Sequence, residues 1–481
     1  MSRSSLHPDT VQQIRQKADI VEVIADKVVL RKQGRNYVGL CPFHKDRKPS
    51  FQVSAGKQIY KCFACGAGGD VIRFLTEYDQ IPFSEAVQQL ARRYRIPIQE
   101  SSPQQQQEYE RRHTRQESLL QILAMAADFY QHTLHSSLGE PAQCYLNQRQ
   151  IRPDIVHKFQ LGFAPPGWQP LIDYLGKQKQ QPMDLLEAAG LVSPRRHGGG
   201  WYDRFRHRLM FPICNVQGQV IGFAGRTLGD EQPKYLNSPE TELFNKSQIL
   251  YGLNFAREAM SQTDQALVVE GYFDVLALHQ AGIEQTVASM GTALGAEQVK
   301  ALLRYTPSNR LIFNFDADRA GITAAQRAIQ AVEEPARRGE IELRILTIPA
   351  GKDADEFLRD HSAMAFQELL DEAPFWLDWQ LEQILAEKDL SNAMEYLKAQ
   401  QAIVELLSGL SGEWRSLYVY RAAEHLSRGR GNTVIARDIE QDLRRRIRER
   451  RWSNPEQQKP PKVPSCCNQN LDLLQIFLHF Q

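Results

Sequence analysis

Two groups of side chains in this sequence have the types and spacing to do chemistry. Cys41 and His44 form one close pair, and after 17 intervening residues Cys62 and Cys65 form a second. Three thiolates and one imidazole in two such pairs can wrap a single tetrahedral ion and leave no open position, so the expected metal is one structural Zn²⁺. Gly66 and Gly68 supply the tight turns beside the second pair. A closed site of this kind rigidifies a small sheet and performs no catalysis. Around it, Lys32, Arg35, Lys45, Arg47, Lys48 and Lys61 are available for phosphates, while Tyr37, Phe51, Tyr60 and Phe63 are divided between base stacking and a small core.

The second group is acidic. Glu270 ends the apolar run in VVEGYFD, Asp316 and Asp318 follow LIFNF, and Asp353 and Asp355 follow RILTIPAGK. Aspartates two apart in extended chain face the same side. Turns are rich in aspartate, so one Asp-x-Asp carries little weight. Three acidic positions, each after a strand of the same alternating unit, carry more. Five carboxylates at one sheet edge repel one another unless cations intervene. Hard oxygen ligands in that number favour Mg²⁺ or Mn²⁺ bridging to substrate phosphates, which points to phosphoryl transfer.

The elements that must position these groups divide the 481 residues into modules. Residues 1–98 mix short β-like runs, Asn36 to Leu40 and Gln58 to Lys61, with a helical pattern from Asp70 to about Tyr94. The polar, Gln-rich stretch 99–117 reads as a linker or a frayed helix start. Residues 118–263 form an α+β part, helical at first and alternating from Trp201 to Gly225. Over 264–350, strand-like and helix-like runs alternate four times: Ala266 to Val269, Gln285 to Ser289, Arg310 to Phe315 and Glu342 to Ile348 each precede or follow a helical run. That is the pattern of a parallel sheet flanked by helices. Residues 351–448 are a helical bundle ending in LRRRIRERR, 449–469 a Pro/Gln/Lys-rich linker, and 470–481 the start of an amphipathic helix.

Composition bounds the function. With 58 basic and 57 acidic residues the net charge is +1, yet Arg204, Arg206, Arg208 and Arg226 crowd one stretch, and local positive fields survive the balance. No run approaches the ~18 apolar residues of a membrane span, and the N-terminal segment lacks an apolar secretory core. Seven unevenly spread cysteines suit a metal site in a reducing cytoplasm, not a disulfide framework. The absence of a G-x-x-x-x-G-K-[ST] loop excludes an ATP-driven motor of that type.

Glu270 in EGYFD, followed by Asp316 and Asp318 in DADRAG, resembles the Toprim domain shared by bacterial primases, topoisomerases and some nucleases. CPFHKDRKPSF with YKCFACGAGGD resembles the zinc-binding module of DnaG-type bacterial primases, and YDRFRHRLMFPI, GFAGR and PKYLNSPET resemble that family's RNA-polymerase core. The resemblance implies a zinc-ribbon domain, an α+β subdomain, a Rossmann-like Toprim sheet and a helical bundle. It implies synthesis of short RNA primers on single-stranded DNA from ribonucleoside triphosphates, by a monomeric cytoplasmic enzyme of the replisome. The alternative is another Toprim enzyme, a nuclease or topoisomerase.

By that resemblance Glu270 is a general acid/base or metal-anchoring carboxylate, Asp316 and Asp318 hold the principal Mg²⁺, and Asp353 and Asp355 complete the cluster. Arg204, Arg206, Arg208, Arg226, Lys234 and Lys246 match a basic ridge for template and triphosphate, with Arg35 and Lys61 contributing from the zinc module. Two departures stand out: Ala317 where the family commonly has glycine, and Ala354 where it often has proline. At the end of the chain, NLDLLQIFLHF resembles only the beginning of a helicase-docking domain, so contact with the replicative helicase is expected to be weak or absent.

Overall fold

The computed structural model describes residues 8–34, 36–46, 49–98, 103–195, 198–291, 294–315, 319–348, 353–386, 388–427 and 433–453. Arg35, Asp316, Asp318 and the segment 470–481 lie outside these, as do Arg47 and Lys48. The chain divides into two compact units, residues 1–122 and 123–481.

In the first unit, α1 (Pro8–Lys17) and α2 (Ile20–Ala25) precede a five-stranded antiparallel meander of β1 (Arg31–Gln33), β2 (Asn36–Gly39), β3 (Phe51–Ser54), β4 (Ile59–Cys62) and β5 (Gly68–Gly69). Two helices, α3 (Val71–Tyr78) and α4 (Phe83–Arg93), close it. The Asp19 carboxylate caps α2 through the Val21 and Glu22 N–H groups, and Asp70 caps α3 through the Arg73 N–H. One helix was expected from Asp70 to Tyr94. The chain breaks it at Gln80, which takes a positive φ of 55°, and at Pro82, which disfavours helix in the residue before it. Alternation puts Phe51, Val53, Tyr60 and Cys62 on the inner face, where they pack with Phe74, Leu75 and Leu90.

The stretch 99–117 is helical from Pro103 onward, as the first part of α5 (Pro103–Leu134). Its polar composition left open a linker or a frayed helix start, and the second holds from Pro103: Gln, Glu and Arg are good helix formers, and Pro103 occupies the first turn, where its missing N–H costs nothing. The later turns bury apolar residues, among them Leu119, Ile122, Ala126 and Tyr130.

The second unit continues with α6 (Glu140–Gln148), α7 (Pro153–Lys158), β6 (Gly162–Ala164), the short α8 (Pro170–Ile172), α9 (Met183–Ala188) and a hairpin of β7 (Val192–Pro194) with β8 (Trp201–Asp203). β9 (Arg208–Cys214), β10 (Val220–Thr227) and β11 (Tyr235–Asn237) join β6 in an antiparallel sheet of order β11-β10-β9-β6. β6 was not anticipated among helices. It is a three-residue strand buried throughout, too short to alternate, and a Cβ at Gly162 would lie 2.7 Å from the Tyr130 carbonyl carbon.

After α10 (Leu253–Thr263) come β12 (Ala266–Val269), α11 (Tyr272–Gln280), β13 (Thr286–Ala288), α12 (Ala296–Leu303), β14 (Arg310–Phe315), α13 (Arg319–Arg337) and β15 (Glu342–Thr347). The four strands form a parallel sheet of order β13-β12-β14-β15, as the alternation predicts. α14 (Ala354–Asp360), α15 (Ala363–Asp371), α16 (Trp376–Leu385), α17 (Ala393–Ser408), α18 (Gly412–Ser427) and α19 (Thr433–Ser453) follow. Sheet and bundle share one core: Phe313, Ile329 and Leu343 pack in the same cluster as Trp376, Leu407 and Leu443. Among the described residues no helix is long and apolar enough to cross a membrane.

Candidate functional site

The four zinc-type ligands come together. One ligand atom from each of Cys41, His44, Cys62 and Cys65 lies within 4.8 Å of all the others. The Cys41–Cys65 sulfur separation and the Cys62 Sγ to His44 Nδ1 separation are both 3.8 Å. A tetrahedron with Zn–S bonds of ~2.3 Å has edges of ~3.8 Å, so the donor set and its spacing fit zinc. The surroundings are built for thiolates: Ser50 Oγ lies 3.2 Å from Cys62 Sγ, and the Cys65 N–H donates to the same sulfur at 3.4 Å. Burial opposes ionisation of Cys62, but these bonds outweigh it and bring the thiol down to about 7, whereas burial pushes Cys41 up to about 12. Asp46 accepts from the Cys41 N–H at 3.0 Å, has Ser50 Oγ at 2.7 Å and sits 3.9 Å from His44 Nε2, so it braces both ligand pairs.

The meander sorts the basic and aromatic residues of this module. Cross-strand register sets Arg31, Val38, Gln52 and Lys61 in one row on the face opposite the core. Phe51 and Tyr60 are 0% and 1% exposed, and Tyr37 packs on the same core, so these three rings belong to the interior and not to base stacking. Phe63 is 54% exposed, with the Lys61 ammonium 5.6 Å from its ring centre.

In the second unit the parallel register aligns the carboxyl ends of β12, β14 and β15. Val268 pairs with Phe313 and Phe315 with Thr347, so Glu270, two residues beyond Val268, stands level with the end of β14 and of β15. This is the carboxyl edge, where open α/β sheets present ligand groups. Gly271 caps α11, and its N–H donates to Asp274 Oδ2 at 3.0 Å. The other oxygen of Asp274 accepts the Asp355 N–H at 3.2 Å, which ties α14 to the start of α11 beside Glu270. Asp353 caps α14 through the Glu356 N–H at 2.7 Å. The Asp355 side chain is 2% exposed and ion-paired with Arg149 at 2.5 Å. Burial raises the Asp355 carboxyl above its ordinary range, and Arg149 pulls it back. Sequence reasoning passed over Asp274 and Arg149. Asp274 lies four residues, one helical turn, past Glu270 and was visible in EGYFD; Arg149 is 206 residues from its partner and had no local signal.

The basic residues fall into distinct environments. Arg226 lies 4.8 Å from the Tyr145 ring centre and 5.3 Å from that of Phe273, and donates to Tyr235 Oη at 3.0 Å. Arg149 stacks on the same two rings. Arg204 donates to the Asn237 carbonyl at 3.1 Å, and Asn237 Oδ1 accepts from Tyr272 Oη at 2.9 Å, so β11 couples this row to the first turn of α11. Arg206 stacks on Trp168 and Tyr202. Lys234 is exposed and Lys246 half-buried. Arg208 differs: it is 4% exposed, and its Nη1 donates to the Gly225 and Pro233 carbonyls, which holds the sheet together and leaves that nitrogen no phosphate to meet.

The turn that presents these arginines is held by Asp203, which is 2% exposed and accepts the Leu171 and Ile172 N–H groups at 2.7 and 3.1 Å. Burial raises its carboxyl from 3.8 to about 6. A carboxyl raised on folding stabilises in its protonated form. Its contribution is therefore complete below the unfolded value and is lost as pH rises through about 6. A rise of that size corresponds to about 3 kcal/mol. Melting of the second unit from pH 4 to 7 should show this loss, and Asp203→Asn should flatten it; an equal slope in the variant would contradict the assignment.

Family profiles match the chain in order: a CHC2 zinc finger over residues 6–106, the N-terminal domain of a DNA primase catalytic core over 129–257, and a Toprim-like domain over 267–358. The DNA primase of Synechococcus elongatus is 49% identical across 100% of this chain and 69% of its own length. The chain belongs to the DnaG-type DNA primase family. Among solved primases, the zinc-binding and RNA polymerase domains from Aquifex aeolicus are 31% identical with a TM-score of 0.53, covering 89% of this chain and 98% of that one. A DnaG primase catalytic domain bound to ssDNA is 35% identical with a TM-score of 0.56, covering 66% and 96%. The primase architecture expected from the motifs is thus the observed one: zinc ribbon, α+β core, Toprim sheet and helical bundle. The Toprim-like match runs to residue 358 and so includes Asp353 and Asp355.

Proposed function

We propose that this chain is a DNA-directed RNA polymerase that lays short RNA primers on single-stranded DNA, using ribonucleoside triphosphates and Mg²⁺ as the preferred divalent ion. The observation carrying this reading is the carboxyl edge of the parallel sheet, where Glu270 stands level with the ends of β14 and β15 and α14 delivers Asp355 to the first turn of α11. Asp316 and Asp318 directly follow Phe315 in sequence. Divalent ions held by such carboxylates supply charge neutralisation for the triphosphate and activation of the primer 3′-hydroxyl for in-line attack on the α-phosphate, with pyrophosphate leaving. Glu270, Asp316 and Asp318 serve as the central ligands or proton acceptors, with Asp353 and Asp355 beside them. Asp274 ties the Glu270 turn to α14, and Arg149 neutralises the buried Asp355 carboxylate, so the edge keeps its shape before substrate arrives.

Arg204, Arg206 and Arg226, with Lys234 and Lys246, form the cationic approach for template and triphosphate. The primase catalytic domain solved with ssDNA supports that use. Four of these residues are spread over β8 to β11 and the turns between them, and β11 ties that sheet to Tyr272 of α11. In the zinc module, Lys61 and Arg35 add sequence-independent phosphate contacts, with Phe63 as the exposed ring for a base.

Labelled ribonucleotides, a single-stranded template and Mg²⁺ test the reading. Short labelled RNA that disappears on chelation is the expected product, with Mn²⁺ as the comparison metal. Template fragments without RNA would replace this reading with that of a Toprim nuclease.

A further inference from the structure

Between α18 and α19 runs a groove of about 490 Å³, lined by Arg415 and Val419 from one helix and by Arg444, Arg448, Arg451 and Trp452 from the other. It lies outside the carboxylate edge and outside the arginine row of β8 to β10. The run LRRRIRERR on α19 is sorted by this groove. Arg445 and Arg446, which do not line it, both pair with Asp442, and Arg450 pairs with Glu405 at 2.6 Å. Arg444, at its edge, pairs with Glu440 at 2.8 Å. Arg448 and Arg451, and Arg415 opposite them, have no carboxylate partner among the described residues. Burial, with the charge of Arg451 facing it, lowers the affinity of Arg415 for its proton. Like charges are gathered here, and among the described residues no carboxylate pairs with these three. At the end of the row Trp452 is 73% exposed.

We propose that this groove binds a segment of single-stranded nucleic acid, its phosphates against Arg415, Arg448 and Arg451 and an unstacked base on Trp452. Arginines three and four residues apart on one helix face repeat every ~4.5 to 6 Å, which suits a flexible backbone of regularly spaced phosphates. An indole at the end of a cationic groove is the stacking surface that sequence-independent single-strand binders use. Val419 and Ile447, 1% and 3% exposed, form the apolar base that holds the helices at this spacing. The proposal rests on the reading of the chain as an enzyme of single-stranded templates, and it gives the helical bundle a part in holding one.

The test is anisotropy titration of the full chain with short and long dT oligonucleotides across a range of salt. Removing two phosphate contacts in Arg448→Gln/Arg451→Gln should lower the log–log salt slope by about 1.4 and weaken long-oligonucleotide binding about tenfold, while synthesis on a short template persists. Trp452→Ala should weaken binding roughly fivefold. The control, Arg445→Gln/Arg450→Gln, makes the same charge change on the same helix outside the groove and should leave affinity within about twofold. Equal losses in both double variants, or no loss in either, would overturn the groove as a site. Competition by oligoglutamate as strong as by oligonucleotide, with no effect of Trp452→Ala, would also overturn it and point to an acidic protein segment. If the unaltered chain makes primers and the groove variants bind normally, only this inference fails; if the unaltered chain neither binds template nor makes primers, the functional reading fails with it.

Discussion

Glu270→Gln lowers ribonucleotide incorporation by at least ~10³-fold while template affinity stays within about twofold of the parent. The substitution keeps shape and removes one charge, at a position level with the ends of β14 and β15. A divalent ion bound by carboxylates loses affinity and changes geometry when one ligand becomes a neutral amide, and a carboxylate acting as base loses that capacity altogether. Template affinity comes from distributed arginine and lysine contacts that this change leaves intact. Glu270 is a cleaner target than Asp355, whose carboxylate is locked to Arg149 in the interior. Removing that charge would leave Arg149 without its partner and confuse folding with chemistry. Primer yield by gel, with anisotropy on the same template, checks the prediction; activity within tenfold of the parent would remove Glu270 from the chemistry. Asp316→Asn is expected to behave likewise.

The second large effect concerns the zinc module. Stripping the metal, or replacing Cys62 by Ser, should unfold residues 8–98 while the second unit keeps its structure. Cys41 and Cys62 are 6% and 0% exposed and belong to the same core as Phe51, Tyr60 and Phe74. Without an ion, sulfurs 3.8 Å apart and a buried thiolate favoured by its hydrogen bonds have no counter-charge. Structural zinc contributes apparent free energies of about 10 kcal/mol or more to small domains, as much as an entire domain's typical stability. Limited proteolysis with and without a strong chelator reads this directly: new cuts should concentrate in the first unit, leaving a resistant fragment that begins within α5. A zinc-free protein with the parent's cleavage pattern would make the four-ligand cluster dispensable.

Local spacing by itself determined a great deal here. The two ligand pairs are close in sequence, so Cys41, His44, Cys62 and Cys65 had few ways to fold except around one ion. The parallel sheet was legible because the central strands β12 and β14 are mostly buried apolar runs separated by helical stretches, while β15 at the sheet's edge alternates buried and half-buried residues. Polarity without an apolar period could not separate a linker from a helix start in 103–117, and β6 went unseen because three buried residues have no period to detect.

Only the tertiary structure decided which polar groups face one another. Asp355 finds Arg149 from 206 positions away, Asp274 reaches from α11 to α14, and Arg208 turns inward to backbone carbonyls while its neighbours Arg204 and Arg206 take other partners. Arg448 and Arg451 likewise differ from Arg445 and Arg450 only in where α19 points them. The physical reason is that a residue's type and its spacing from neighbours set its backbone preference and the face it occupies. Its charge partner is set by which distant surface packs against that face, and chain separation carries no record of that.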